Sequence, residues 1–586
     1  MPAKPIFHRA PLMEVPFAPL PLGAIRPEGW LRAQLLLLAE GLGDASESDG
    51  LLAAALPLGY LLGDSALIEA AHKRIERTID NCPSSMDDAG LMLVLQQYYM
   101  ATANKQALVH MLRYCKYVWE GLKERPLGPQ ASARAGELLQ PVLWLYRVTG
   151  KRSLLELARC LQIQSVDWTA FCHTMPFKAP IAKQLPWDEL RQGMMDNEQY
   201  HTQVYQQTHA VNLAMGLKTP ALIAQFTGGI KHTEAFDVGY AKLMRHHGFA
   251  NGLFSGDDLL SGASPSQGTK TAAISELMST LESLLCSLGT ASYGDVLEKL
   301  AFNALPAAYS ADMRTWQRVQ QPNQIDLVTP KRCWYSADAH SAAFSNDLTD
   351  AGDAMLHHGF PRFAASLWMA SKDGGLAAMS YAPCTVRART VGGTVRLDVE
   401  TSYPFDGTVT LRVHARGELA FPLHLRIPDW AGGAWLMVGE ERHECKPGTF
   451  FVLHRTWRPG DTIALHLPMQ VTQSEWYYRS AALSRGPLLL AHAPDMGQPW
   501  AYALLPGQQS IVRSDPAQAG PFGHGSPLVV EAKAVPLPDW KKKHGAAEAP
   551  PIAPLVDANQ AVSLPLIPYG STAQRVCQFP IAVFSD

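Results

Sequence analysis

The apolar periodicity of this chain changes near residue 373, from about 3.6 residues per cycle to 2. That change restricts the fold to a helical body followed by a β-rich one. Before it, Ser65–Asn81 places Leu67, Ile68, Ala71, Ile75 and Ile79 on one stripe. Gln106–Glu124, Gly136–Thr149, Ser153–Val166, His209–Phe226, Glu234–His247 and Ala272–Leu288 follow the same pattern. Roughly a dozen helices joined by short turns, such as Asn104-Lys105 and Thr149-Gly150, suit a solenoid, a bundle or an (α/α) toroid. No fixed-period repeat of the solenoid kind is visible. After residue 373, Val395, Leu397 and Val399 alternate with Arg396, Asp398 and Glu400. The alternation recurs at Val409-Leu411-Val413, Leu423-Leu425-Ile427 and Ile463-Leu465-Leu467. Turns at Gly392-Gly393, Pro404–Gly407 and Arg458–Asp461 separate these runs, which read as a β-sandwich. Residues 506–560, rich in Pro, Ala and Gly, read as long surface connections.

Hydrophobic residues make up 47% of the chain and charged residues 18%, so most of it can bury a large core. A net charge of −3 and a pI of about 6.7 leave no basic footprint for nucleic acid or an anionic membrane. The nine cysteines are scattered and form no C-x-x-C pair, which argues against a disulfide framework or a zinc ribbon. Thiols in a reducing compartment are the simpler expectation. The first 23 residues carry six prolines and no continuous apolar run, unlike a secretory signal. The apolar stretch Leu51–Gly63 is too short for a membrane span and contains Pro57 and Gly59. A soluble cytoplasmic protein is expected.

A collinear set of segments carries a resemblance. It includes PLGAIRPEGWLRAQL (Pro21–Leu35), LLQPVLWLYRVTG (Leu138–Gly150), THAVNLAMGLKTPAL (Thr208–Leu222) and NGLFSGDDLLSGASPSQGT (Asn251–Thr269). It continues with LEKLAFNALPAAYSADM (Leu297–Met313), QQPNQI (Gln320–Ile325) and HHGFPRFAASLWMASKDGGLAAMSYAP (His357–Pro383). YPFDGTV (Tyr403–Val409), FPLHLRIPDWA (Phe421–Ala431) and SRGPLLLA (Ser484–Ala491) complete it. On these segments the chain resembles the β-L-arabinofuranosidase-like proteins of glycoside hydrolase family 127. The resemblance implies an (α/α)6 barrel followed by β-sandwich modules. The expected division is a Pro-rich segment at 1–23, the barrel at 24–372, a β-sandwich at 373–478 and a further β module at 479–586.

The resemblance also implies a zinc ion held by a Glu and three Cys, one of them the nucleophile. The corresponding positions here are Lys270, Ala272, Ala351 and Gly352. A protonated lysine cannot ligate zinc, so neither a metal nor another cofactor is expected.

Asp258 matches the family's acid/base glutamate, and Asp257 stands beside it in a Gly/Ser-rich loop. A buried carboxyl with a raised pKa can protonate a leaving oxygen; alternatively the pair turns the loop or caps a helix. Glu276 is the candidate second carboxylate, with a structural role as its alternative. By the resemblance, His209 and His357 line the sugar pocket; each could equally be a polar residue bonded within the core. Tyr200 could share that wall or lie on a solvated helix face. Gln321 and Asn323 are amides suited to reading hydroxyls, or to capping backbone in a buried loop. Arg318 stands where the family has a tyrosine, and with Lys270 it would suit an anionic substituent.

The expected function is zinc-independent cleavage of a terminal or small, anionic sugar glycoside by carboxyl acid/base chemistry. The alternatives are an inactive carbohydrate- or partner-binding relative, and a sugar epimerase or lyase. The expected partner is a carbohydrate, with no nucleic acid and no membrane, and with a homodimer left open.

Overall fold

The computed structural model describes residues 5–43, 51–80, 89–184, 199–327, 343–348, 351–494, 499–507, 509–543 and 545–584. The helical body contains α1 (Gly29–Leu42), α2 (Leu52–Leu62), α3 (Ser65–Asp80), α4 (Ala89–Thr102), α5 (Lys105–Glu124) and α6 (Ala135–Thr149). It continues with α7 (Ser153–Gln164), α8 (Ala210–Gly216), α9 (Thr219–Thr227), α10 (Ala235–His247), α11 (Ala272–Leu288) and α12 (Gly359–Ala365). Two kinds of helix sort into two layers. In α5 only one stripe is buried, including Met111, Tyr114, Val118 and Leu122, as suits an outer helix. In α11 every residue from Ala272 to Leu285 is buried, as an inner helix of a closed barrel requires. Local chemistry sets the ends: Asn104 caps α5 by accepting from the Gln106 amide, and α6 stops at left-handed Gly150.

The single helix read over His209–Phe226 divides in two. The break falls at Leu217-Lys218, and Pro220, which has no amide hydrogen to give, sits in the first turn of α9. Among the described residues no helix is long and apolar enough to cross a membrane.

Two sheets form the sandwich. One runs in the order Phe17–Pro19, Trp368–Ser371, Leu376–Ala378, Leu419–Ile427, Thr449–Trp457. The other runs Glu441–Glu444, Trp435–Val438, Thr462–His466, Thr408–Ala415, Thr394–Thr401, Cys384–Arg389, Ile25–Pro27. Register places Leu397 opposite Val413 and Val399 opposite Leu411, all buried, so cross-strand apolar pairs fill the inner face. The first strand of this region starts at Trp368, before the change in periodicity, because Trp368–Ser371 is buried on both faces and does not alternate. The Pro-rich N-terminal segment supplies the edge strand Phe17–Pro19 of the first sheet, and Ile25–Pro27, just after it, is the edge strand of the second.

A third sheet, in the order Val471–Glu475, Ala481–Arg485, Leu488–Ala491, Val562–Pro568, Leu528–Pro536, Tyr502–Leu504, follows. It corrects the reading of 506–560 as surface connections: Leu528–Pro536 is a nine-residue strand with Leu528, Val530, Ala532 and Ala534 buried. Its alternation is carried partly by alanines, which weakens the pattern.

A continuous apolar core joins body and sandwich. At the junction Trp30 of α1 donates its indole hydrogen to the Tyr403 carbonyl (2.8 Å) and packs edge-on to Phe302, Phe405 and Phe522. The cysteines described are free thiols, while Cys82 and Cys333 lie outside the described residues.

Candidate active site

The loop after α10 is pinned to the start of α8. The Ala210 amide donates to the Asp258 carbonyl (2.9 Å), and the Leu260 amide to the Thr208 carbonyl (3.0 Å). This clamp brings the Asp258 carboxylate to His209 Nε2 (3.0 Å). The short strand Thr269–Lys270, paired with Val319–Gln320, brings Lys270 Nζ to the same oxygen at 3.0 Å. Tyr205 donates its hydroxyl to the other oxygen at 3.4 Å.

His209 Nδ1 accepts the Asn212 amide at the start of α8 (3.4 Å), so the ring proton sits on Nε2 and points at Asp258. Burial lowers the pKa of His209 despite Asp258, with Lys270 and Arg134 adding to the effect, which keeps the imidazole neutral. Burial pushes the Asp258 carboxyl up, but the His209 hydrogen bond and the Lys270 charge outweigh it, so its pKa falls below the usual value. Asp258 is therefore an ionised carboxylate, where a raised acid was expected from the sequence. The shift has its cause in His209 and Lys270 together.

The inner wall of the barrel holds a second group of charges. A cavity of about 560 Å³ lies among α4, α6, α11 and α12, with Gln96, Arg134, Glu137, Glu276, Glu282 and Arg362 in its lining. Burial raises Glu276 to about 7, helped by Glu137 and opposed by Lys218, Arg362 and Arg134. Burial likewise raises Glu282 to about 7, against Arg362 and Lys218. Glu137 is ion-paired with Lys218, whose side chain is fully buried, and Arg362 Nε lies 3.6 Å from Glu282. Arg134 connects the two groups. Its Nε donates to Asn212 Oδ1 (2.7 Å) beside His209, and its charge acts on Glu276, Glu137 and Tyr205.

The remaining residues singled out from the sequence are placed as follows. Asp257 is buried and accepts from Ser261 Oγ (3.2 Å), within the loop. His357 bonds through Nδ1 to the Tyr309 hydroxyl (3.0 Å) and meets Trp316 edge-on, and burial lowers it to about 4. The Arg318 guanidinium grips Asp353 (2.9–3.2 Å) and reaches Asp347 at 3.5 Å, so it anchors this loop. Gln321 Nε2 donates to the Ser266 carbonyl (2.8 Å) next to the Asp258 loop. Asn323 binds the Gln578 carbonyl and accepts the Cys577 and Gln578 amides, which ties down the C-terminal segment. Tyr200 belongs to the helix Gln199–Thr208, and its side chain lies outside the described residues.

Sequence reasoning did not pick out Glu137, Lys218, Arg134 or Arg362. The usable signal was charge inside apolar helices: Glu276 and Glu282 are the only ionic residues of α11, and Glu137 stands in the apolar run of α6.

The model of the catalytic domain of glycoside hydrolase family 127 β-L-arabinofuranosidases matches residues 86–319, and that of the family's middle domain matches 375–469. A solved structure described as a glycoside hydrolase aligns with 97% of this chain and 98% of its own, at 15% identity and a TM-score of 0.74. A family 127 β-L-arabinofuranosidase from Geobacillus stearothermophilus T6 aligns with 96% of this chain and 92% of its own (18% identity, TM-score 0.60). A family 127 β-arabinofuranosidase covers 97% of this chain and 98% of its own (16% identity, TM-score 0.57). No curated protein matches the chain.

Proposed function

The chain belongs to glycoside hydrolase family 127, and from that premise we propose that it cleaves a small or terminal glycoside by carboxyl chemistry, without a zinc thiolate. The observation that carries this reading is a pair of buried carboxyls shifted in opposite directions, with Arg134 acting on Glu276 and on His209 beside Asp258. Asp258 is held ionised by His209 and Lys270, while Glu276 is raised to about 7 in the cavity wall. Glycoside cleavage needs one carboxylic acid to protonate the leaving oxygen and one carboxylate for the opposite face. Glu276 supplies the proton, and Asp258 supplies the negative charge that takes a proton from water and stabilises an oxocarbenium-like centre. His209 and Tyr205 hold that carboxylate in place, and Arg134 keeps the two groups in one electrostatic field.

The donor set does not fit zinc. Lys270 directs an ammonium at Asp258, and Ala272, Ala351 and Gly352 have no metal-binding atom in their side chains. Among the described residues no three His, Cys, Asp or Glu side chains are grouped to hold a metal ion. The proposed cleavage therefore runs on the chain's own acids.

The test is hydrolysis of aryl glycosides, arabinofuranosides first because solved relatives are named for them, with and without a chelator. Hydrolysis is expected to survive chelation and to decline as pH rises above about 7, where Glu276 loses its proton. Glu276→Gln should lower kcat by at least about a hundredfold while raising Tm at pH 8. The sign follows from linkage: a carboxyl raised in the folded state costs stability above its unfolded pKa, and an amide removes that cost. A purely structural Glu276 would lower Tm and leave kcat alone. Silence across the panel, with sugars still bound, would replace this reading with that of an inactive carbohydrate-binding relative. The three groups already engaging Asp258 favour that second reading.

A further inference from the structure

The hairpin between Val471–Glu475 and Ala481–Arg485 turns on two residues that resist the conformation it imposes. Tyr478 (φ 54°, ψ 34°) and Arg479 (φ 59°) both lie in the left-handed region. Among the described residues they are the only adjacent non-glycine pair to do so; Ala103, Met175, Met313 and Ala553 occur singly. Hairpin turns with two left-handed residues ordinarily use Asn-Gly or Asp-Gly, because a Cβ is crowded there. Nothing in the closure requires a tyrosine or an arginine. Ser480 closes the turn with its amide and hydroxyl, both donating to the Tyr477 carbonyl (3.1 and 2.7 Å). The Trp476 amide donates to the Ser480 carbonyl (2.8 Å). Strain held where a better turn sequence exists points to the side chains on display.

Those side chains form an aromatic platform. The Tyr477 and Tyr478 rings stack with centroids 4.1 Å apart and planes 19° from parallel, and Tyr478 is 47% exposed. Trp476 roots the platform: it packs against the buried cluster of Ala250, Ala307, Leu489 and Tyr569, and its indole donates to Ser474 Oγ (2.8 Å). The rim is polar. Thr472, Gln473, Ser474 and Glu475 are exposed on the adjoining edge strand. Arg479 faces Glu475 at 3.6 Å, so a polyanion finds no unmatched cation in the turn.

Among the described residues no other large apolar side chain of the two strands is exposed, so the patch lacks the contiguous apolar centre of a protein interface. A sugar ring carries an apolar C–H face within a fringe of hydroxyls, which matches an aromatic plane set among hydroxyl and amide groups. None of these residues lines the barrel cavity. We propose that the Tyr477–Tyr478 turn is a second carbohydrate-binding site, outside the helical body, which holds a neutral glycan chain by stacking and so keeps a polymer beside the enzyme. The choice of a glycan rests on the glycosidase reading.

Affinity electrophoresis of the full chain, in native gels cast with soluble arabinan or arabinogalactan, tests this. Wild type should be retarded, and Tyr478→Ala should weaken the binding about fivefold to tenfold, as loss of one stacking partner does. The paired change Tyr478→Asn with Arg479→Gly should weaken binding as much and raise Tm by about 1–3 °C, since the strain leaves with the ring. Hydrolysis of a small aryl arabinofuranoside should be unchanged in both variants. Unretarded wild type, full retardation of the paired variant, or a fall in its Tm would overturn the proposal. So would loss of self-association by sedimentation in these variants without any retardation, which would assign the rings to a second copy of the chain. Retardation without hydrolysis of any glycoside would defeat only the glycosidase reading, and hydrolysis without retardation would defeat only this one.

Discussion

Asp258→Asn is expected to lower kcat by about a hundred- to ten-thousandfold, the span that positioned acid/base groups contribute, with KM changed far less. The substitution keeps shape and removes charge. The amide oxygen can still accept from Lys270 or His209, but it cannot take a proton or offset a developing positive centre. The loop itself should hold, because its clamp to α8 is made by the Ala210 and Leu260 amides and not by the side chain. Lys270 is about one quarter exposed, so an unpaired ammonium there can hydrate. Steady-state kinetics and a melting curve together check the claim. A loss confined to KM, or one that tracks a fall in Tm, would make Asp258 a structural anchor. Asp258→Glu separates the cases further, since a longer carboxylate should restore part of kcat to a catalytic group and nothing to a packing one.

The protonation states behind that prediction mark where sequence reading stopped. Asp258 and His209 were identifiable in the collinear segments, Glu276 only as a carboxylate on the helix that follows them, and α11 coincides with its periodic stretch. What could not be read was which charges meet. Lys218 pairs with Glu137 from 81 positions away, and Arg318 with Asp353 from 35. A pKa is a sum over such neighbours and over burial, and periodicity reports only burial. Hence Lys270 was legible as a foreign residue in a zinc position, but its effect of holding Asp258 ionised was not. The architecture was more legible than the site because burial patterns of 3.6 and 2 are local properties. It failed where locality fails. Trp368–Ser371 is buried on both faces, and the strand around Val530 alternates with small alanines.

The other large effect lies between body and sandwich. Arg426, on the strand Leu419–Ile427, is fully buried and reaches into the helical body. One nitrogen lies 2.5 Å from Asp295, another pairs with Glu298, and Nε donates to the Met379 carbonyl. Glu298 also accepts from the Tyr403 hydroxyl (2.6 Å) and Ser380 Oγ (2.7 Å), so no water is needed to satisfy it. Gly294 belongs to the same fit, since a methyl there would stand 2.5 Å from Arg426 Nε. Arg426→Ala would leave the Glu298 carboxylate buried without its cation, a situation that costs about 3–5 kcal/mol. Urea midpoints at unchanged slope should register the loss. Glu298→Gln in that background should recover part of it, because the orphaned charge and not the missing side-chain volume dominates the cost. Additive losses would instead assign Arg426 to packing. The contrast with Asp258 is physical. Lys270 keeps access to water and can be spared at a modest cost, whereas Arg426 has none, so the same chemistry of acid and cation makes a hydrated pair at one place and locks the helical body to the sandwich at the other.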